Sequence, residues 1–404
     1  MILDRRTATT ILTKGSVMLI GLLLVVFTAR VWGAEGRGFI ALIMAAVSLI
    51  AILNNVFAGA TVAFHTPSYD PYRLLWMASL GSLVTSLLGS FLFLLAEGPG
   101  HFFLVLVLSF ITSLSGSITY YWLGRNDIGR YNLMTLLPSV LLLLLVACGY
   151  FLAGIREMRI YFYSWIAAYA TAWFIGFMLI IRDGEKADKK REDWLTLGKS
   201  MVHYGFRSEL SYFLQFLNYR LAYFFISRSL GLDTLGRFSV AVAVAEGVWI
   251  IGKSISAVLY SDVLNLQDEK ARIERTIRAA GRGFLLTLPA LILLNLLPEK
   301  IYPLIFGKAF TGIRELVLYL SPGILAVAVA NILGHYFSAR GMMNILIAKS
   351  SLGLVTTTIL LLLLLQRFGL KAACWTIDAS YIIVLLYLSI RFLKERKKIL
   401  FSPA

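Results

Sequence analysis

A succession of long apolar runs decides what this chain can fold into. About twelve of them occur, at 13–32, 39–64, 74–96, 102–123, 133–153, 160–181, 206–229, 238–264, 284–298, 314–338, 343–365 and 371–393. About 20 residues coiled as an α-helix, at ~1.5 Å each, cross the ~30 Å hydrocarbon core of a bilayer. Hydrocarbon offers backbone groups no water, so spanning segments are helices or closed barrels, and continuous apolar runs of this length are helices. The expected fold is therefore all-α, a polytopic membrane protein with about 12 transmembrane helices. Composition agrees: of 404 residues, 59% are hydrophobic and only 15% charged, outside the range of soluble domains. The ninth run is the weakest, with Pro289 inside it and Pro298 closing it, and is expected to be broken or tilted.

The net charge is +16, and its placement orients the chain. If the spans alternate from a cytoplasmic N-terminus, the inner side receives Arg5, Arg6, Lys14, Arg73, Arg125, Arg130, the 182–191 run, Lys199, the 270–282 run, Arg340 and the 391–398 tail. The outer side receives Arg30, Arg37, Arg156, Arg159, Arg228, Arg237, Lys300, Lys308, Arg314, Arg367 and Lys371. That excess, roughly two to one, places both termini in the cytoplasm and the protein in the cytoplasmic membrane. The basic loops suit anionic membrane lipids. They are too short and scattered to form a nucleic-acid surface. The first run is too long for a signal-peptide core and is read as a retained span. Cys148 and Cys374 both fall within spans and predict neither a disulfide nor a metal site.

One hydrophilic stretch, IRDGEKADKKREDWLTLGKS at 181–200, divides six spans from six. It predicts an N-terminal six-helix lobe over 1–190 and a C-terminal six-helix lobe over 191–404. RVWGAEGRG at 30–38 also superposes without a gap on RSLGLDTLG at 228–236, an offset of 198 residues. Arg30 falls on Arg228, Gly33 on Gly231 and Gly38 on Gly236, at the same topological point of each half. This predicts a parallel internal repeat.

The seventh and eighth runs carry the charges that need explaining: Arg207, Glu209, Arg220, Glu246 and Lys253. An ionised side chain at mid-membrane costs about 2.5–3.5 kcal/mol on insertion scales, so it faces protein or a wet cavity rather than lipid. On a helical wheel Arg207, Ser211, Gln215 and Asn218 share one face, and Glu209, Arg220 and Ser227 a roughly opposite one. Glu246 and Lys253, seven apart, share a face of the next helix. By the 198-residue offset Lys253 matches Asn55. One reading is an anion-binding cavity lined by Arg220 and Lys253, with Asn55 at matching depth and Arg30 and Arg228 near the outer mouth. Arginine suits phosphate because its planar fork matches two oxygens. The other reading is interhelical ion pairing, Arg220 with Glu246 for instance, and interfacial snorkelling of Arg30 and Arg228. Glu246 is either a protonatable coupling acid or that arginine's partner. Farther on, His335 and Asn331 share a face of the tenth run, Lys349 lies in the eleventh and Asp378 in the twelfth. No nucleophile–His–acid set, metal-ligand cluster or phosphate-cradling glycine loop is present in the sequence, so no cofactor and no enzyme activity is expected.

NYRLAYFFISRSLGLDTLGRFSVAVAVAEGVWIIGKSISAVLYSDV, and KGSVMLIGLLLVVFTARVWGAEGRGFIAL near the N-terminus, resemble the seventh–eighth and first–second spans of the polysaccharide and oligosaccharide-lipid flippases. Those belong to the multidrug/oligosaccharidyl-lipid/polysaccharide exporter superfamily. The resemblance implies two six-helix lobes around a central cavity, alternating access, and an undecaprenyl-diphosphate-linked oligosaccharide as cargo. It also implies a cationic cavity, in line with Arg220 and Lys253, and a proton or sodium ion as the candidate coupling ion. Relatives often carry an acid directly after Y-R-L in the seventh span, where this chain has Ala222. A multidrug/cation antiporter of the same superfamily is the alternative, although such exporters favour acidic cavities. A membrane-embedded glycan polymerase or glycosyltransferase needs a larger outer loop bearing catalytic acids, and the outer loops here are short.

Overall fold

The computed structural model describes residues 5–183 and 194–401. Most of the 181–200 linker, and the expected lobe boundary within it, lies outside these residues. Among the described residues the chain forms thirteen α-helices and no strand. They are α1 (Arg5–Asn54), α2 (Gly59–His65), α3 (Pro71–Glu97), α4 (Phe102–Gly124), α5 (Ile128–Phe151), α6 (Arg159–Asp183), α7 (Trp194–Leu230), α8 (Leu232–Gly247), α9 (Trp249–Asn265), α10 (Glu269–Leu296), α11 (Ile301–Phe306), α12 (Ile313–Ala339) and α13 (Met343–Phe401). Local chemistry sets several starts. Asp70 accepts from the Tyr72 and Arg73 amides at 3.0 Å ahead of Pro71, and Asp127 and Asp268 cap α5 and α10 in the same way.

Among the described residues, eight helical stretches are long and apolar enough to cross a membrane, or nine if the bent pair α8–α9 is one span. Two of the eight are double-length, at 57 and 58 residues. At ~1.5 Å per residue each would run about 85 Å, far beyond a ~30 Å core. A glycine kink divides each into two spans, Gly33 (φ 66°) in the first and Gly369 (φ 56°) in the second. α7 is not among the eight, because its 37 residues include Arg207, Glu209, Gln215, Asn218 and Arg220. Counted with these, the spans number twelve. Outward-facing side chains match a lipid solvent: Leu88 on α3 is 61% exposed and Leu362 on α13 is 64% exposed.

The spans differ from expectation at three places. The second is broken over 55–58, between α1 and α2. The eighth is broken at Val248 and bent by 44° there. The ninth, expected to be broken, is one helix from Glu269 to Leu296 with Pro289 inside it. It also takes in the charged 269–282 stretch.

The chain divides into two compact units, Met1–Val25 with Ile43–Phe213, and Val26–Leu42 with Leu214–Ala404. The first has a core of Leu74, Tyr121, Trp122, Met134, Ile180 and Met201. The second packs Leu259, Ile273, Tyr336, Phe337, Leu388 and Phe392. Inside the second unit the two members of the sequence repeat meet. A Cβ on Gly38 would land on the Leu232 carbonyl, and a Cβ on Gly236 would land on the Ala34 carbonyl. At the 198-residue offset Leu232 corresponds to Ala34 and Gly236 to Gly38, so the contact is reciprocal, as across a local two-fold axis. Gly33 (φ 66°, ψ −165°) and Gly231 (φ 85°, ψ 170°) share a backbone region open essentially to glycine alone.

Candidate functional site

The charged centre of the second unit is built where the eighth span breaks. α8 ends at Gly247 and α9 begins at Trp249, so Glu246 sits on the last turn before the bend and Lys253 just past the first turn after it. A discontinuous helix is tolerated at membrane depth where protein or a wet cavity satisfies the freed backbone groups. The bend also removes the premise that placed Glu246 and Lys253 on one face, since the wheel assumes an unbroken axis.

Arg220 on α7 meets Glu246 fork to fork, with Nη1 to Oε1 at 2.6 Å and Nη2 to Oε2 at 2.8 Å. The geometry is that of a bidentate charge-assisted pair. The pair is not sealed, since the arginine side chain keeps 23% and the glutamate 18% of its surface exposed. The guanidinium also lies over the Tyr223 ring, 5.2 Å from its centroid.

Lys253 is exposed and sits 5.4 Å over the Trp249 ring. Trp249 in turn packs against Tyr219 and Tyr381 with centroid separations of 5.2 and 6.5 Å, and Tyr219 lies 5.5 Å from Tyr381. α7, α9 and α13 thus each contribute one ring to a cluster beside the ion pair, a feature that charge and periodicity did not reveal. Arg37 was also missed. It sits six residues from Val31 in a stretch read as an outer loop, yet it is only 6% exposed within the second unit.

Of the other expected site residues, Arg30 donates to the Ile305 carbonyl (2.6 Å) and to that of Leu304, so it caps the end of α11. Arg228 is exposed near the end of α7. Asn55 belongs to the first unit and lies in the break of the second span, where its carbonyl accepts from Thr61 at 3.0 Å. Its neighbour Asn54 is fully buried, donating to Ser86 (3.0 Å) and accepting from Thr85 (2.5 Å). The structure therefore unites Arg220 with Glu246, and brings Lys253 to the same aromatic cluster. Arg30 and Arg228 lie apart from that pair's hydrogen bonds.

The remaining intramembrane polar groups divide clearly. Asn218 accepts from Thr357 (2.5 Å) and Ser380 (2.9 Å). His335 bonds the Asn331 carbonyl at 2.8 Å, as a core histidine does. Asp378 accepts from the Gly323 amide at 2.8 Å, next to Pro322, which interrupts the hydrogen bonding of α12.

Comparison with known proteins agrees with this architecture. Residues 191–315, which hold Arg220, Arg228, Glu246 and Lys253, match the polysaccharide biosynthesis protein family. Over 159 residues the chain is 28% identical to the capsular polysaccharide biosynthesis protein CapF of Staphylococcus aureus, an alignment spanning 39% of this chain and 40% of that protein. The lipid II flippase MurJ, in an inward closed conformation, superposes with a TM-score of 0.74 at 16% identity, over 96% of this chain and 90% of MurJ. An inward-facing multidrug resistance MATE family transporter of the MOP superfamily superposes with a TM-score of 0.71 at 14% identity, over 96% of both chains. At such identities the likeness is one of fold. The chain shares its fold with MurJ and the MATE transporter, and its 191–315 segment matches the polysaccharide biosynthesis protein family.

Proposed function

We propose that the protein is a flippase that carries an undecaprenyl-diphosphate-linked oligosaccharide across the cytoplasmic membrane by alternating access, with both termini in the cytoplasm. It makes and breaks no covalent bond. The observation that carries this reading is the half-open Arg220–Glu246 pair beside exposed Lys253, inside the segment matched by a polysaccharide family. A diphosphate presents more negative charge than one carboxylate, and a pair of oxygens on one tetrahedral phosphate can meet the arginine fork. It can therefore take over the Arg220 fork that Glu246 holds in the unloaded protein. Glu246 keeps the guanidinium oriented and compensated until cargo arrives, and Lys253 adds a second cation. Arg228, exposed near the end of α7, is the further cation proposed for this site, while Arg30 serves as a helix cap and anionic lipids meet the basic loops.

Displaced Glu246 is left without its cation in a partly dehydrated place, where taking up a proton relieves its charge. That makes it the candidate coupling acid, with sodium binding the alternative. The test is deletion of the gene followed by identification of lipid-linked sugars on each leaflet. The reading predicts that a diphosphate-linked oligosaccharide builds up on the cytoplasmic leaflet. Unchanged lipid-linked sugars together with raised sensitivity to cationic drugs would instead assign the protein to multidrug export.

A further inference from the structure

A second site lies deeper in the second unit and is built around a lysine. Lys349, on the first half of α13, is only 6% exposed. Among the described residues no carboxylate or hydrogen-bond acceptor engages its ammonium. It borders a small cavity that it shares with Gln215, Asn218, Tyr219, Asn331 and Ser350. The cavity measures about 10 Å³, room for about one water. The lysine head lies beside Gly334 of α12, at ordinary van der Waals distance from where a Cβ there would sit. The Ser350 hydroxyl, in the same cavity, is buried without a partner. The neighbours are otherwise tied to one another. Gln215 donates to the Tyr219 hydroxyl at 2.6 Å, and Asn331 also hydrogen-bonds that hydroxyl.

An ammonium buried without a counter-ion is relieved in two ways only. It draws in water and stays charged, or it gives up its proton. Both routes are open here. The walls include amide and hydroxyl groups that, with a water, can solvate a cation, and among the described residues no acid lines the cavity to fix the charge.

We propose that Lys349 is a proton-binding site of the second unit, charged when its cavity is hydrated and neutral when the cavity closes. On release an Nζ–H bond breaks, the electron pair stays on nitrogen, and the proton leaves on a cavity water for bulk solvent. Uptake is the reverse. The titratable and charged groups facing it are His335 from α12, Tyr219 from α7 and Tyr381 from α13, with the Arg220–Glu246 pair adjacent to Tyr219. Coupling of this proton to export rests on the function proposed above. The site itself does not.

The test uses the full chain in lipid nanodiscs. Amide hydrogen exchange of segments 213–221 and 345–352 is followed from about pH 5 to about pH 11, corrected for the chemical exchange rate. Wild type should show a one-proton step, with exchange about tenfold faster on the acid side, where the cavity is wet. Lys349→Met should abolish the step. Lys349→Arg, whose guanidinium does not give up its proton, should hold exchange at the acid level throughout and decides the matter should the methionine variant fail to fold. His335→Gln, Tyr219→Phe and Tyr381→Phe should leave the step in place. No step in wild type, a step surviving in Lys349→Met or Lys349→Arg, or loss of the step in His335→Gln would overturn the proposal. A step present in a protein whose export ignores the pH gradient would retain the site and remove the coupling. Absence of export altogether would count against the flippase reading alone.

Discussion

The two units bury polar groups to different ends. Each has an asparagine hub: Asn54 gathers Ser86 and Thr85 in the first unit, and Asn218 gathers Thr357 and Ser380 in the second. Around Asn54 the first unit adds hydroxyls, such as Ser82 paired with Ser113 at 2.7 Å, small groups that let helices approach closely. Among the described residues its buried acidic, basic and imidazole side chains are Glu209 and His65. The second unit adds Arg37, Arg220, Glu246, Lys349 and Asp378 to a hub that already ties α7 to α13. Neutral groups thus join helices in both units, and the charges of the second unit come in addition to them, at a cost within a membrane.

That contrast can be broken most severely at Glu246. Glu246→Leu leaves Arg220 partly buried and unpaired, at about 3–5 kcal/mol. Membrane abundance should fall sharply and recover when Arg220→Leu is added. Full abundance of the single variant would mean that the pair is more solvated than its geometry indicates.

The hubs should respond less, and alike. Asn54→Ala and Asn218→Ala each strand hydroxyl partners, at about 1–3 kcal/mol. Thermal stability of the purified variants should drop by similar amounts, with export per folded molecule retained. Export lost in Asn218→Ala at normal abundance would move that hub into the working machinery.

Smallest is Arg30→Gln. It removes two hydrogen bonds to the end of α11 from an exposed side chain, about 0.5–1.5 kcal/mol. A melting shift at the limit of detection with near-normal export is expected. A severe export defect would restore Arg30 to the substrate path as more than a helix cap.

Much of this was legible in the residues, because a bilayer imposes length and polarity on every span. The twelve runs were readable for that reason, and so was the pairing of 30–38 with 228–236, where Gly33 and Gly231 share one backbone conformation and Gly38 and Gly236 meet each other's backbone. The Arg220–Glu246 contact was one of two open readings, since a wheel orders residues around one helix and cannot bring two helices together. Breaks at 55–58 and 248 were hidden because neither carries proline, while Pro289 falsely suggested one. Burial of Lys349 without an acid partner could not be read at all. It depends on which residues of other helices, such as Gln215, Tyr219 and Asn331, come to line its cavity.

The central claim is that Arg220 serves cargo rather than cohesion, and a neutral pair tests it most directly. Arg220→Gln/Glu246→Gln removes both charges together, so neither is left buried and unpaired. The measurement is glycan export per folded molecule, with membrane abundance recorded beside it. The account predicts near-wild-type abundance with export reduced at least about tenfold, the loss of roughly one charge-assisted contact, and a further loss on adding Lys253→Gln. Normal export by the neutral pair would show that Arg220 and Glu246 only hold the helices together.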